Sequence, residues 1–210
     1  MQKLYHADFK LINSTYKYNW REILKYILKL FFIFLLSSTS INIYAEKNIQ
    51  FVINTSKGNI VIETYPDKAP ITVKNFESYV NEDFYNGTIF HRVIDGFMIQ
   101  GGGFTKDMSQ KETDAPIKNE ADNSLKNEKY SIAMARTSIP DSATSQFFIN
   151  IKDNDFLDYA GQSSPGYCVF GKVIEGQDVV DKIANLKTRV KNGMGDVPIK
   201  TVKINSIKVK

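Results

Sequence analysis

Phe90 to Gly102 reads FHRVIDGFMIQGG, and two of the chain's short apolar runs, TIFHRVI and FMIQGG, meet in it. The stretch opens on one of only two histidines, sets an arginine beside it, and ends in glycines. Strand alternation would give Phe90 and Arg92 one face and His91 and Val93 the other. Gly101-Gly102-Gly103 lacks the G-x-G-x-x-G spacing and the GK[ST] ending of phosphate loops, and no helix follows. These glycines are read as tightly turned or closely approached backbone.

Outward from this stretch the chain keeps the same character. Upstream, QFVINTSKGNIVIETY is two alternating runs joined by Ser56-Lys57-Gly58-Asn59, which predicts a hairpin. In DKAPITVKNFESYVNEDFYNG, Phe76, Tyr79, Val80 and Phe84 recur at helical spacing behind the start signals Pro70 and Thr72, with Gly87 closing the segment. Downstream, YSIAMAR, SQFFINI and YCVFGKVI are further short runs between polar loops. A second helix, GQDVVDKIANL, puts Val179, Val180, Ile183 and Leu186 on one face, and TVKINSIKVK is an alternating terminal strand. Many short strands with two helices predict a mainly β fold, a closed antiparallel barrel capped by helices rather than a parallel βαβ sheet.

With 210 residues, 42% of them hydrophobic, the chain can bury one substantial core plus an appendage. The net charge of +4 is confined to the start. Residues 1–45 hold six of the 27 basic residues and two of the 23 acidic ones, which leaves 21 of each in the rest. A neutral domain gives no support for nucleic acid as a partner. Cys168 is the single cysteine, which excludes an intramolecular disulfide and a Cys-rich zinc site, and its apolar run reads as a buried thiol.

The segment YILKLFFIFLLSSTSINIYAEKN has a basic approach, an apolar run from Leu30 to Leu36, and small and polar residues ending at Ala45. That order reads as a secretory signal cleaved after Ala45. Residues 1–45 are therefore assigned as a leader and 46–210 as the folded domain, expected in the periplasm or secreted. The alternative is an uncleaved segment from Tyr26 to Ile43 that anchors the domain to the inner membrane, outside the cytoplasm. A membrane is expected as a partner only through that segment.

For chemistry, His91 would be the sole histidine of the domain, without HExxH, HxH or a cysteine partner, so no metal is expected. Ser131, Ser138 and Ser145 lack the G-x-S-x-G context of a nucleophile. His91 is read as a structural residue hydrogen-bonding nearby. Arg92, from its pattern alone, reads as a solvated surface charge.

FHRVIDGFMIQGG, MARTSIPDSATSQFFIN and FLDYAGQSSPGYCVFGKV, in this order and spacing, resemble the cyclophilin family of peptidyl-prolyl cis-trans isomerases. PIKNEADNSLKNEKYSIAMART is similar to the bacterial exported and cytosolic branch. The resemblance covers residues 48–210 and implies a closed eight-stranded antiparallel β-barrel capped by two α-helices, an isomerase acting on proline-containing polypeptides, and no cofactor. It makes Arg92 the catalytic arginine and Gln100 the glutamine that helps orient the arginine and the substrate. Phe97, Met98, Phe148 and Leu157 become the proline pocket, Ala135 and Arg136 the segment whose backbone pairs with the peptide, and Gln146 a further polar position beside the groove. Phe156 and Tyr167 stand in the groove where many eukaryotic members carry tryptophan and histidine. Without the indole N–H, weak binding of cyclosporin is expected.

Overall fold

Ile49–Thr55 (β1) and Gly58–Thr64 (β2) form the hairpin that the SKGN turn predicts, paired antiparallel from Ile49–Thr64 to Thr55–Gly58. Thr55 Oγ1 clamps the turn, accepting from Lys57 N at 3.0 Å and donating to Gly58 O at 2.7 Å. The computed structural model describes residues 19–36 and 47–210. The first part is a helix, α1 (Trp20–Leu36). No helix among the described residues is long and apolar enough to cross a membrane. The cleavage site expected after Ala45 lies outside the described residues.

Six more strands complete the main sheet: β3 (Thr88–Ile94), β4 (Met98–Thr105), β5 (Ser131–Met134), β6 (Phe147–Asn150), β7 (Val169–Glu175) and, last in the chain, β10 (Ile204–Val209). Their order is β10-β1-β2-β7-β5-β6-β4-β3, every neighbouring pair antiparallel. The two ends of this sheet meet. Ile89 bridges Lys203, Phe90 N donates to Val202 O at 3.0 Å, and Gly87 N to Ile204 O at 2.9 Å. Hydrogen bonding across this seam closes the barrel and leaves few strand groups unpaired.

Alternation splits each wall strand in two. Ile132 and Met134 of β5, and Phe147 and Ile149 of β6, face the interior with Phe51, Ile53, Ile60, Ile62 and Phe170. Helix α2 (Pro70–Asn81) lays Phe76 against this interior, 5.2–5.8 Å from the rings of Phe51, Tyr85, Phe147 and Phe170. Helix α3 (Gln177–Ala184) adds Val179, Val180 and Ile183. Burying an aromatic or branched side chain of this kind stabilises by roughly 1.5–3 kcal/mol.

Two boundaries differ from the periodicity. Helix α2 stops at Asn81, not at Gly87, because Asp83 takes a left-handed φ of 53° and Phe84 N turns back to Tyr79 O at 3.0 Å. A second sheet, β8 (Thr188–Lys191) with β9 (Met194–Pro198), stands where no strand is expected between the second helix and the terminal strand. Asn192 and Gly193, at φ 51° and 79°, make its turn, the left-handed pair that a two-residue hairpin favours.

Candidate active site

The outward-facing residues of the wall make a second apolar cluster, separate from the core. Met98, Ala133, Phe148, Leu157 and Val169 are buried in it, with Phe97, Ala135 and Tyr167 packed at its margin. Register puts Gln100 beside Phe148, Phe148 beside Ala133, and Ala133 beside Val169, a row running across β4, β6, β5 and β7. Small Ala133 within that row leaves room over the wall, and larger side chains stand around it.

Arg92 reaches this face through a break in alternation. On β3, Phe90 pairs with Gly101 and Arg92 with Gln100, so the ladder carries one extra residue, His91. Alternation alone would put Phe90 and Arg92 together. Instead Phe90 and Val93 enter the core while the Arg92 side chain remains 43% exposed. A bulge of this kind re-aims the side chains on either side of it.

His91 itself is buried, its ring 4.6 Å from that of Phe104. The hydrogen bond expected of its side chain is absent at Nδ1, which has no partner among the described residues. Burial, and then the neighbouring Arg92 charge, hold its pKa down to about 4. The ring is therefore neutral near pH 7.

A cavity of about 110 Å³ opens over the apolar row, lined by Arg92, Phe97, Met98, Gln100, Ala135, Arg136, Phe148, Leu157 and Tyr167. These sequence-predicted residues come together from β3, β4, β6 and three loops. Phe156 lies at the rim, 69% exposed and stacked on Phe97 at 5.6 Å. Gln146 lines an adjoining cavity of about 280 Å³ that shares Gln100, Ala135 and Arg136 with the first. Gly103 makes room for it: a Cβ there would come within 2.5 Å of the Gln146 side chain.

Gln100 stands across the ladder from Arg92 and shares its cavity. Its Nε2 donates to Gln146 Oε1 at 2.9 Å, and the charge set against Arg92 is Asp196, with Oδ2 3.8 Å from Nε. Arg136 is tied to the groove wall, donating from Nε to Gly166 O at 2.9 Å and lying 4.4 Å over the Tyr167 ring.

Three buried asparagines brace the pocket and escaped the sequence reading. Asn154 Nδ2 donates to Phe97 O at 3.0 Å and to Asn150 Oδ1 at 2.8 Å, while Asn150 Nδ2 donates to Asn127 Oδ1 at 3.2 Å. Asn154 O also accepts from Leu157 N, and Leu157 O from Tyr167 N, at 2.8 and 2.9 Å. Polar residues at the end of an apolar strand, as in SQFFINIKDN, were the available signal.

The family model for cyclophilin type peptidyl-prolyl cis-trans isomerase/CLD matches residues 50–209. A peptidyl-prolyl cis-trans isomerase of Acinetobacter baylyi is 59% identical over 81% of this chain and 90% of its own length. Isomerase B of Escherichia coli is 58% identical over 74% of this chain and 96% of its own. The chain belongs to the cyclophilin-type peptidyl-prolyl cis-trans isomerases. Its barrel also superposes on the crystal structure of a cyclophilin type isomerase of Cryptosporidium parvum, with a TM-score of 0.65 at 25% identity, covering 78% of this chain and 98% of that one. A crystal structure of the same C. parvum isomerase was obtained in the presence of the dipeptide Ala-Pro, and it matches with a TM-score of 0.64. As a cyclophilin, the chain is an enzyme that interconverts the cis and trans forms of peptide bonds preceding proline.

Proposed function

We propose that Arg92 accelerates this rotation by stabilising the twisted amide, over a pocket that holds the proline ring of an exported polypeptide. The observation that carries the reading is the half-exposed Arg92 guanidinium at the edge of a cavity floored by apolar side chains, whose other arginine, Arg136, is tied to Gly166 O and the Tyr167 ring. Amide resonance sets the uncatalysed barrier at roughly 18–20 kcal/mol. In the planar state the proline nitrogen has given its lone pair to the carbonyl and accepts poorly. Once the bond twists, the pair returns to nitrogen, and a guanidinium N–H there gains a hydrogen bond that the ground state lacks.

Such a charge-assisted bond contributes about 1.5–3 kcal/mol. A gain of about 10⁴–10⁵ in rate needs roughly 5.5–7 kcal/mol, so the remainder falls to the pocket. Phe97, Met98, Phe148 and Leu157 hold the ring and exclude water, which favours the less dipolar twisted amide and strengthens the arginine contact. Among the described residues neither the Ala135 carbonyl nor the Arg136 N–H has an intramolecular partner, which suits them to pair with an extended peptide on one side of the rotating bond. The solved relative crystallised with Ala-Pro supports a proline-containing ligand.

Protease-coupled isomerisation of an Xaa-Pro tetrapeptide tests the mechanism. The wild type should be active and Arg92→Ala about 10- to 150-fold slower, the rate equivalent of the hydrogen bond above; equal rates would sink it. The exposed Phe156, stacked on the partly buried Phe97, favours a second role, as a chaperone that grips proline segments without turnover. In that case client refolding survives Arg92→Ala and is lost with Phe148→Ala. With phenylalanine at 156, cyclosporin should bind weakly, which calorimetry measures.

Export is supported by the order of charge, apolar run and small residues before Ala45. N-terminal sequencing and fractionation distinguish a cleaved periplasmic protein from an anchored one. A cytoplasmic protein retaining its first residues would refute export.

A further inference from the structure

The β8–β9 hairpin is fastened to the barrel beside the candidate site. Val197 and Met194 pack with Ile89, Phe104 and Met108. Lys191 Nζ donates to Lys106 O at 2.8 Å, and Asn192 Nδ2 to Asp107 O at 3.4 Å. Held at both ends, the hairpin presents Asp196 in a left-handed conformation, φ 59°, which a non-glycine residue adopts only where its surroundings require it. The Asp196 carboxylate is the charged group in ion-pair reach of Arg92, 3.8 Å from Nε, among the described residues. Gln100, the neighbour of Arg92 across the ladder, is engaged with Gln146 instead.

We propose that Asp196 is the positioning residue of Arg92, restraining the guanidinium by its Nε edge so that its terminal nitrogens stay directed to the reacting amide. The proposal rests on the catalytic reading of Arg92 given above. Arginine has among the largest rotamer freedoms of any side chain, and a half-exposed arginine on a strand would otherwise sample many orientations. A carboxylate carried by a braced hairpin narrows that set before substrate arrives. Both partners are nearly half exposed, at 43% and 46%, so the pair adds little to folding stability. Its effect falls on turnover.

Asp196→Asn tests this, because asparagine keeps the shape and tolerates the left-handed backbone while removing the charge. Isomerase kinetics, calorimetric affinity for the same proline tetrapeptide and urea midpoints are compared for wild type, Asp196→Asn and Asp196→Glu, each also in the Arg92→Ala background. Asp196→Asn should lower kcat about three- to tenfold, roughly 0.7–1.4 kcal/mol at about 1.4 per tenfold, with affinity and midpoint unchanged. Asp196→Glu should recover part of the loss, and Asp196→Asn should change nothing once Arg92 is alanine. Undiminished kcat in Asp196→Asn overturns the proposal. So does a loss of the same size in the Arg92→Ala background. Wild type no faster than Arg92→Ala would remove the underlying reading first, whatever Asp196→Asn does.

Discussion

Two adjacent residues, His91 and Arg92, share one bulge, and on the reading proposed above the first bears on stability and the second on turnover. Arg92→Lys keeps the charge but loses the planar fork of N–H groups, so its kcat/KM should fall close to that of Arg92→Ala, by about tenfold or more if the hydrogen bond carries ~1.5–3 kcal/mol. Recovery of half the wild-type rate with lysine, in the coupled assay, would show that charge alone suffices. His91 gives a different readout. Its folded pKa of about 4 lies below the ordinary 6.5 of the unfolded chain, so between these values the unfolded state binds the extra proton. Stability from the neutral ring is whole above pH 6.5, declines as pH falls towards 4, and is lost below it, a change on the order of 3 kcal/mol. Urea midpoints of His91→Leu should therefore fall less than those of the wild type between pH 7 and pH 4. Pattern alone left Arg92 a solvated surface charge, the family resemblance singled it out, and the bulge that directs it was legible from neither. One extra residue in a ladder has no period of its own, so alternation alone misplaces the side chains around it.

Elements announced themselves in proportion to how strongly their own residues determined them. The β1–β2 hairpin and the two capping helices have alternation or helical spacing and local start signals, and all are found. The β8–β9 hairpin has its signal only in the turn, Asn192-Gly193. Arg189 and Val190 are both exposed, so β8 lacks the apolar face that marks the other strands, and β9 offers only Met194 and Val197 to the barrel. Helix α2 shows a non-local cause of another kind. Ala69 offers no capping side chain, and Glu120, in a distant loop, accepts from Ile71 N at 3.1 Å and Thr72 N at 2.8 Å, and from Thr72 Oγ1 at 2.8 Å. A carboxylate there satisfies orphan donors and meets the positive end of the helix dipole. Glu120→Ala should cost about 1–2 kcal/mol, the upper range for loss of a cap, measured as a lower urea midpoint. Unchanged stability would mean that water replaces the carboxylate without loss.

At the scale of the molecule, one wall serves two sides. Phe147 and Ile149 point inward, while Phe148 between them points into the candidate pocket. Phe76→Ala removes a ring that touches four others in the interior, and should cost about 3–5 kcal/mol in urea unfolding. At a temperature where the variant is still folded, its kcat/KM should be unchanged, because the wall separates the loss from the catalytic face. A parallel fall in activity would show that the wall transmits the defect. The barrel was legible because its strands are short, apolar and numerous, whereas the seam at Ile89–Lys203 joins positions 114 residues apart, beyond the reach of any local pattern. The two cavities that share Gln100, Ala135 and Arg136 lie on the outside of that closed wall. A chain crossing them needs no free end and threads through nothing. A proline in the middle of a long polypeptide, or in a loop of a domain already formed, is thus as approachable as one near a terminus, and clients are limited by local exposure rather than by size.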